Sequence, residues 1–188
     1  MTIGDYITTF EVHFERYRHL SPWEMTSNLI EILTTMLDSC NSDFLMLGEG
    51  IAVHKTATIE DGAIIKAPAI IGPKSFIGAH AYLRGGVFLG QGVTIGPGCE
   101  VKTSVVFDHS SLAHFNFVGD SIIGSNVNFE AGAVIANHYN ERPDKQISVL
   151  HQSRAIETGS TKFGALVGDN CKVGANAVLS PGTVLEKN

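Results

Sequence analysis

Lys66, Arg84 and Lys102 recur at intervals of eighteen residues, and His114 follows twelve residues after the last of them. A column of cations suits anion binding, above all of phosphate, because Lys and Arg supply charge-assisted donors that a phosphate oxygen accepts. A histidine adds a group able to take a proton near neutrality from an attacking amine or hydroxyl. His114 lies in Leu112-Ala113-His114-Phe115-Asn116-Phe117, an imidazole between apolar neighbours. Alone, such a histidine is more often a satisfied structural residue, and three cations can splay into water. Whether these groups do chemistry depends on the elements that position them.

The interval of eighteen is three times a shorter one. Val53, Ile59, Ile65, Ile71, Ile77, Leu83, Leu89, Ile95 and Val101 are branched aliphatics at every sixth position. A strand repeats every two residues and a helix every 3.6, so an unbroken period of six describes one flat side of a triangular coil. Four residues after each aliphatic comes a second inward position, small or branched: Ala57, Ala63, Ala69, Ser75, Ala81, Val87, Val93, Cys99 and Val105. Gly72, Gly78, Gly90 and Gly96 follow aliphatics where a corner needs unusual torsions or close neighbours. The chain is therefore an all-β solenoid. Three hexads close one turn, so residues eighteen apart stack at about 4.8 Å. One corner carries His54, Gly72, Gly90 and Asp108, the next Glu60, Gly78 and Gly96, and the third Lys66, Arg84 and Lys102. Adjacent cations at that separation repel by about 3 kcal/mol at an effective dielectric of about 20, which an anion between them would relieve.

Residues 1–46 lack the period and place Tyr6, Phe10, Phe14 and Tyr17 on one helical face. Ser21-Pro22-Trp23-Glu24 supplies an N-cap serine, proline at the first helical position and glutamate at the third, so a second helix is expected from Pro22 to about Leu37. This helical pair is expected to cap the open end of the solenoid, with partner binding or oligomerisation as the alternative. The hexads of the 47–188 domain lose register near 108–118 and resume at Ile123, Phe129 and Ile135. A loop at about 138–163 then leaves the coil, and the period returns at Val167, Val173, Leu179 and Leu185. An excursion of that length inside a compact domain is more often functional than neutral.

Composition narrows the partners. The net charge is −6, with no basic run, so no nucleic-acid footprint is present. Charged residues make up only 17% of the chain, low for a monomer covering its own surface, so self-association is expected. Cys99 and Cys171 fall at inward positions and act as compact apolar residues, not disulfide partners. No apolar stretch is long enough to span a membrane and no secretion signal opens the chain, so a cytoplasmic location is expected.

The repeat resembles the hexapeptide-repeat proteins, which are single-stranded left-handed parallel β-helices. The left hand comes from that resemblance alone, since parallel crossovers are otherwise nearly always right-handed. Leu83-Arg84-Gly85-Gly86 through Asn137 is similar, without gaps, to the acetyltransferase domain of the bifunctional enzymes that acetylate glucosamine 1-phosphate and uridylylate the product. Lys162-Phe163-Gly164-Ala165-Leu166-Val167-Gly168 resembles the segment that re-enters the coil in archaeal sugar-1-phosphate nucleotidylyltransferases with an acetyltransferase tail. The similarity covers residues 50–186 and none of the helices. It implies an acetyl-CoA-dependent N-acetyltransferase of nucleotide-sugar and cell-envelope biosynthesis, acting on an amino-sugar 1-phosphate as a homotrimer with sites between subunits. His114 would be the general base. Arg84 and Lys102 would hold the sugar phosphate, and Glu100, Asn128 and the loop residue Lys145 would meet the acceptor. Ala131, Asn137, Tyr139 and Ala175 would lie against the acetyl-CoA arm, with Asn137 also polarising the thioester carbonyl. No metal is expected in the transfer.

The departures from that family are specific. An acceptor-pocket tyrosine is Phe117, a cofactor-side serine is Ala175, and asparagine followed directly by tyrosine becomes Asn137-His138-Tyr139. The basic C-terminal arm that helps hold coenzyme A has no counterpart before Asn188, and no glycine-rich nucleotide-binding segment precedes the coil, so uridylyl transfer is not expected. Two other readings stay open. One is a non-catalytic sugar-phosphate-binding or scaffold trimer. The other is a metalloenzyme resembling the γ-carbonic anhydrases, with His80, His109 and His114 as ligands, although the interval from His80 to His109 is not a multiple of eighteen.

Overall fold

A computed structural model describes all 188 residues. The hexads wind into a left-handed parallel β-helix with three flat sides. Side one stacks Ile51–His54, Ala69–Ile71, Val87–Leu89, residues 104–106, Ile122–Ile123, Ala165–Val167 and Thr183–Leu185. Side two stacks Thr58–Ile59, Phe76–Ile77, Thr94–Ile95, Ser111–Leu112, Asn128–Phe129 and Lys172–Val173. Side three stacks Ile64–Ile65, residues 82–84, residues 100–102, Phe117–Gly119, Val134–Ile135 and Val178–Leu179. The first corner joins sides one and two, the second joins two and three, and the third returns from three to one.

The aliphatics read from the sequence fill the lumen. Ile71, Ile77, Leu83, Leu89, Ile95 and Val101 belong to one buried cluster that also contains Cys99 and Cys171. The register change differs from expectation. It comes from two shortened third corners and not from residues 108–118. Arg84 pairs with Lys102, but Val87 pairs with Ser104, so one residue is missing from the second of these turns. The earlier corner uses Gly85 and Gly86, both at positive φ, where the later one turns on Thr103 alone. Asp120 makes the same one-residue turn at φ 46° in the following rung. After each shortened corner the hexads continue intact through Leu112, Val118, Ile123 and Phe129. The register also puts Phe107, not Asp108, in the column of Gly72 and Gly90, and the Asp108 carboxylate instead accepts the Gln91 N–H at 2.7 Å.

The helical segment is present but shorter-ranged than expected. Its parts are a 3-10 turn at Ile3–Asp5, helix α1 at Phe10–Phe14, a 3-10 turn at Glu15–Tyr17, helix α2 at Pro22–Ser27 and helix α3 at Leu29–Leu37. The helix expected from Pro22 to Leu37 is interrupted at Asn28, whose amide donates back to the Glu24 carbonyl at 2.8 Å. Pro22 opens α2 as expected, and the Glu24 carboxylate accepts the Ser21 N–H at 2.8 Å. The segment covers a side of the coil and not its end. Side one turns Ile70, Phe88, Val105, Ile122 and Leu166 outward, and these pack with Tyr6, Phe10, Phe14, Met25, Leu29 and Leu33 into a second buried core. The outward positions of side one are apolar where a solvated side would be polar, so a covering layer is needed. At the coil's beginning, Phe44–Met46 pairs antiparallel with Ile51–His54 and occupies that sheet edge.

The excursion after Asn137 leaves and rejoins at the third corner. It is not structureless: Ser148–His151 and Arg154–Glu157 form an antiparallel hairpin whose Ile147 and Val149 enter the second core. The Tyr6 hydroxyl ties it down, 2.9 Å from His151 Nδ1. Burial, reinforced by the nearby Glu186 carboxylate, pushes that phenol up to about 12.

Candidate functional site

The third corner gathers the cations. Arg84, Lys102, Phe117, Asn137, His138, Lys145, Thr161 and Lys162 line a cleft of about 410 Å³ where the excursion leaves and rejoins the coil. Two cations are already matched. Arg84 Nη2 lies 2.6 Å from Glu100 Oε1, its diagonal neighbour on the next rung, and Lys102 Nζ lies 2.6 Å from Asp120 Oδ2. The repulsion expected in this column is thus reduced by carboxylates. Lys66, the third member of the expected column, is exposed and lines no part of the cleft. The excursion supplies Lys145 and Lys162 in its place.

Asp120 organises this corner. Its carboxylate accepts from Lys102 and from the Asn137 side-chain amide, and its backbone carbonyl accepts the Gly164 N–H at 2.9 Å. The Asn137 carbonyl in turn accepts the Phe163 N–H at 3.0 Å. Exit and re-entry are therefore joined through one buried aspartate. Phe163 is fully buried, and Trp23 of α2 packs edge-on against it with ring centroids 6.1 Å apart. The helical layer thereby backs the wall from which Lys162 projects.

The second corner gathers a different set. Leu112 pairs with Phe129 and Phe129 with Val173, so two residues further on His114, Ala131 and Ala175 fall in one column. The Gly132 N–H donates to the His114 carbonyl and the Asn176 N–H to that of Ala131, which fixes the stacking. His114 is exposed, and Phe115 beside it is 74% exposed. Between the two corners, side three turns Ile64, Tyr82, Glu100, Phe117, Val134 and Val178 outward. The chain from His114 to Gly119, the partner of Lys102, bends at Phe115 (φ 52°) and then runs extended, so the two columns are at most about 16 Å apart.

The residues singled out from sequence thus divide. Arg84, Lys102, Asn137 and Lys145 share the third-corner cleft, with Glu100 attached through Arg84. His114, Ala131 and Ala175 share the second corner. Asn128 points outward from side two, between Ser111 and Lys172. Tyr139 leaves the cleft: its hydroxyl donates to the Pro181 carbonyl at 3.0 Å, and Arg142 lies over its ring. Asn137 is buried, with its side chain committed to Asp120 and His138. His80 and His109 sit at different corners, over Gly62 and Gly92. Sequence reasoning did not assign Lys162, Thr161, His138 or Asp120. Lys162 had a signal, because the residue preceding re-entry must lie beside Asn137 at the exit.

Residues 77–160 match the family model described as the GMPPB C-terminal domain, and residues 158–188 match the hexapeptide repeat of succinyl-transferase. The chain is 39% identical over 84 residues to a bifunctional sugar-1-phosphate nucleotidylyltransferase/acetyltransferase of Sulfurisphaera tokodaii, covering 44% of this chain and 20% of that protein. It is 36% identical over 89 residues to the bifunctional protein GlmU of Methanocaldococcus jannaschii, covering 47% of this chain and 21% of that one. Among solved structures, a hexapeptide transferase family protein from Anaplasma phagocytophilum aligns with a TM-score of 0.45 at 16% identity, over 72% of this chain and 74% of that one. The chain spans about a fifth of the length of the curated relatives it matches.

Proposed function

We propose that this chain is an acyltransferase that uses acetyl-CoA to acetylate the amine of an amino-sugar 1-phosphate, with glucosamine 1-phosphate the first acceptor to test. The observation that carries this reading is the third-corner cleft, where Arg84, Lys102, Lys145 and Lys162 converge on a space of about 410 Å³. Four cations around a small polar cleft suit a phosphomonoester, whose oxygens accept charge-assisted bonds from each. The Sulfurisphaera tokodaii relative, whose name states both a sugar 1-phosphate and acetyltransferase activity, supports the same choice.

His114 is the general base in this reading. Its imidazole takes the proton from the acceptor amine as the C–N bond forms at the acetyl carbonyl, and it returns that proton to the thiolate as the C–S bond breaks. In one protomer His114 and the phosphate cleft stand at opposite ends of side three, and His114 does not line the cleft. A homotrimer resolves this by setting the second corner of one protomer against the third corner of the next. The outward Ile64, Tyr82, Phe117, Val134 and Val178 and the exposed Phe115 supply an apolar surface for that apposition.

The test is thiol release from acetyl-CoA with a panel of amino-sugar 1-phosphates. Release that needs both substrates supports the assignment. If acetyl-CoA does not bind at millimolar concentration while a sugar phosphate does, the result favours the non-catalytic sugar-phosphate-binding reading over this one.

A further inference from the structure

His138 stands in the cationic cleft beside Asn137, at the point where the excursion leaves the coil. The hydrogen bonds behind it determine which face it shows a ligand. The Asp120 carboxylate, held by Lys102 Nζ at 2.6 Å, can only accept, so the Asn137 group turned toward it is the amide nitrogen. The Asn137 side-chain oxygen therefore faces His138 Nδ1 at 3.1 Å, and an amide oxygen can only accept. Nδ1 must carry the hydrogen. A neutral His138 then has its lone pair on Nε2, and a protonated His138 gains a second donor there.

From this relay we propose that His138 is a ligand-binding group of the cleft. Its Nε2 accepts a hydrogen bond from the phosphorylated ligand's hydroxyl or amine when neutral, and donates to the phosphate when protonated. The proposal rests on the reading of this cleft as a phosphate site. The charged groups around the imidazole are Arg84, Lys102, Lys145 and Lys162, with Glu100 matched to Arg84 and Asp120 acting through Asn137. Protonation thus adds a fifth cation to a site whose carboxylates are already engaged, and a bound dianion favours that protonation. Affinity for a fixed dianion should therefore be higher with His138 protonated, that is at lower pH.

Inorganic sulfate is the probe, because its charge is constant across that range while a phosphomonoester's is not. Calorimetric titration at pH 5.5 and 7.5 should show tighter sulfate binding at the lower pH, by up to about thirty-fold, the full effect of one added charge about 4 Å from a dianion in a solvated site. In His138→Gln, an exposed position where folding is undisturbed, the ratio should fall to about one, while His114→Gln keeps it. Long-range nitrogen–proton NMR of the native protein should show His138 as the Nδ1–H tautomer at neutral pH. A pH ratio unchanged in His138→Gln, or an Nε2–H tautomer, overturns the proposal and leaves the cleft's assignment standing. No sulfate binding in the native protein at either pH overturns the phosphate site itself.

Discussion

The Lys102 ammonium lies 2.6 Å from the Asp120 carboxylate, with only 17% and 9% of the two side chains exposed. Such a pair is costly to break, because the survivor is left charged without a partner. Asp120→Asn also weakens the acceptor that holds Asn137. It should lower unfolding free energy by about 3 kcal/mol, seen as a lower urea midpoint at unchanged slope. A midpoint within error of the native value would mean that the Asp120 carboxylate's contacts with Lys102 and Asn137 add nothing to stability.

In the acetyltransferase reading, His114→Ala and Arg84→Ala fail differently. Loss of the base lowers kcat by about 10²–10⁴-fold with little change in acceptor KM. Arg84→Ala weakens acceptor binding, raising KM by about ten-fold or more with a smaller effect on kcat. Steady-state kinetics over both substrates separate the two patterns. Unchanged kcat in His114→Ala would remove His114 from the mechanism.

His13 gives stability a pH dependence. Its ring lies among Phe14, Phe88 and Phe107, with centroids 6.4, 5.2 and 6.0 Å away, and burial lowers its pKa while Asp108 at 3.9 Å partly opposes this. The folded state therefore favours neutral His13, and the unfolded chain binds the proton at higher pH. Stability contributed here is complete above the unfolded pKa of about 6.5 and declines as pH falls from there toward the lowered folded value. Denaturant titrations at pH 7.5 and 5.5 should show a smaller loss in His13→Gln than in the native protein. An equal loss would assign the slope to other groups.

Trp23→Ala removes the ring that backs Phe163. Amide exchange at Phe163 and Gly164, whose N–H groups bond Asn137 and Asp120, should accelerate before that of the lumen strands does. Arg84 and Lys102 keep their carboxylates, so any loss of ligand affinity should come through Lys162. Exchange that speeds up uniformly would indicate general destabilisation instead.

The lumen was legible because an inward aliphatic at every sixth residue has no other physical reading, and Leu83, Leu89, Ile95 and Val101 stand where that rule puts them. The column of Arg84 above Lys102 followed from the same rule. The partners of those cations did not. The resemblance makes Glu100 an acceptor ligand, and Asp120, although eighteen residues after Lys102, follows directly on the register loss expected near 108–118, where the column is no longer counted. The side position of the helices was also hidden. An apolar helical stripe shows that a surface is to be covered but not which one, although the outward Ile70, Phe88 and Val105 mark the side that needs it.

The two shortened turns and the long excursion all fall on one edge of the prism. Thr103 and Asp120 each drop a residue there, and the next rung absorbs a detour, so that Ile122 pairs with Leu166, 44 residues on. Along the other two edges the count from rung to rung never changes. The coil behaves as a periodic lattice with a single tolerant seam, where chain length can vary while the lumen stays in phase. Because Arg84, Lys102, Lys145 and Lys162 line that same seam, insertions and deletions there can reshape their cleft without disturbing what folds the chain.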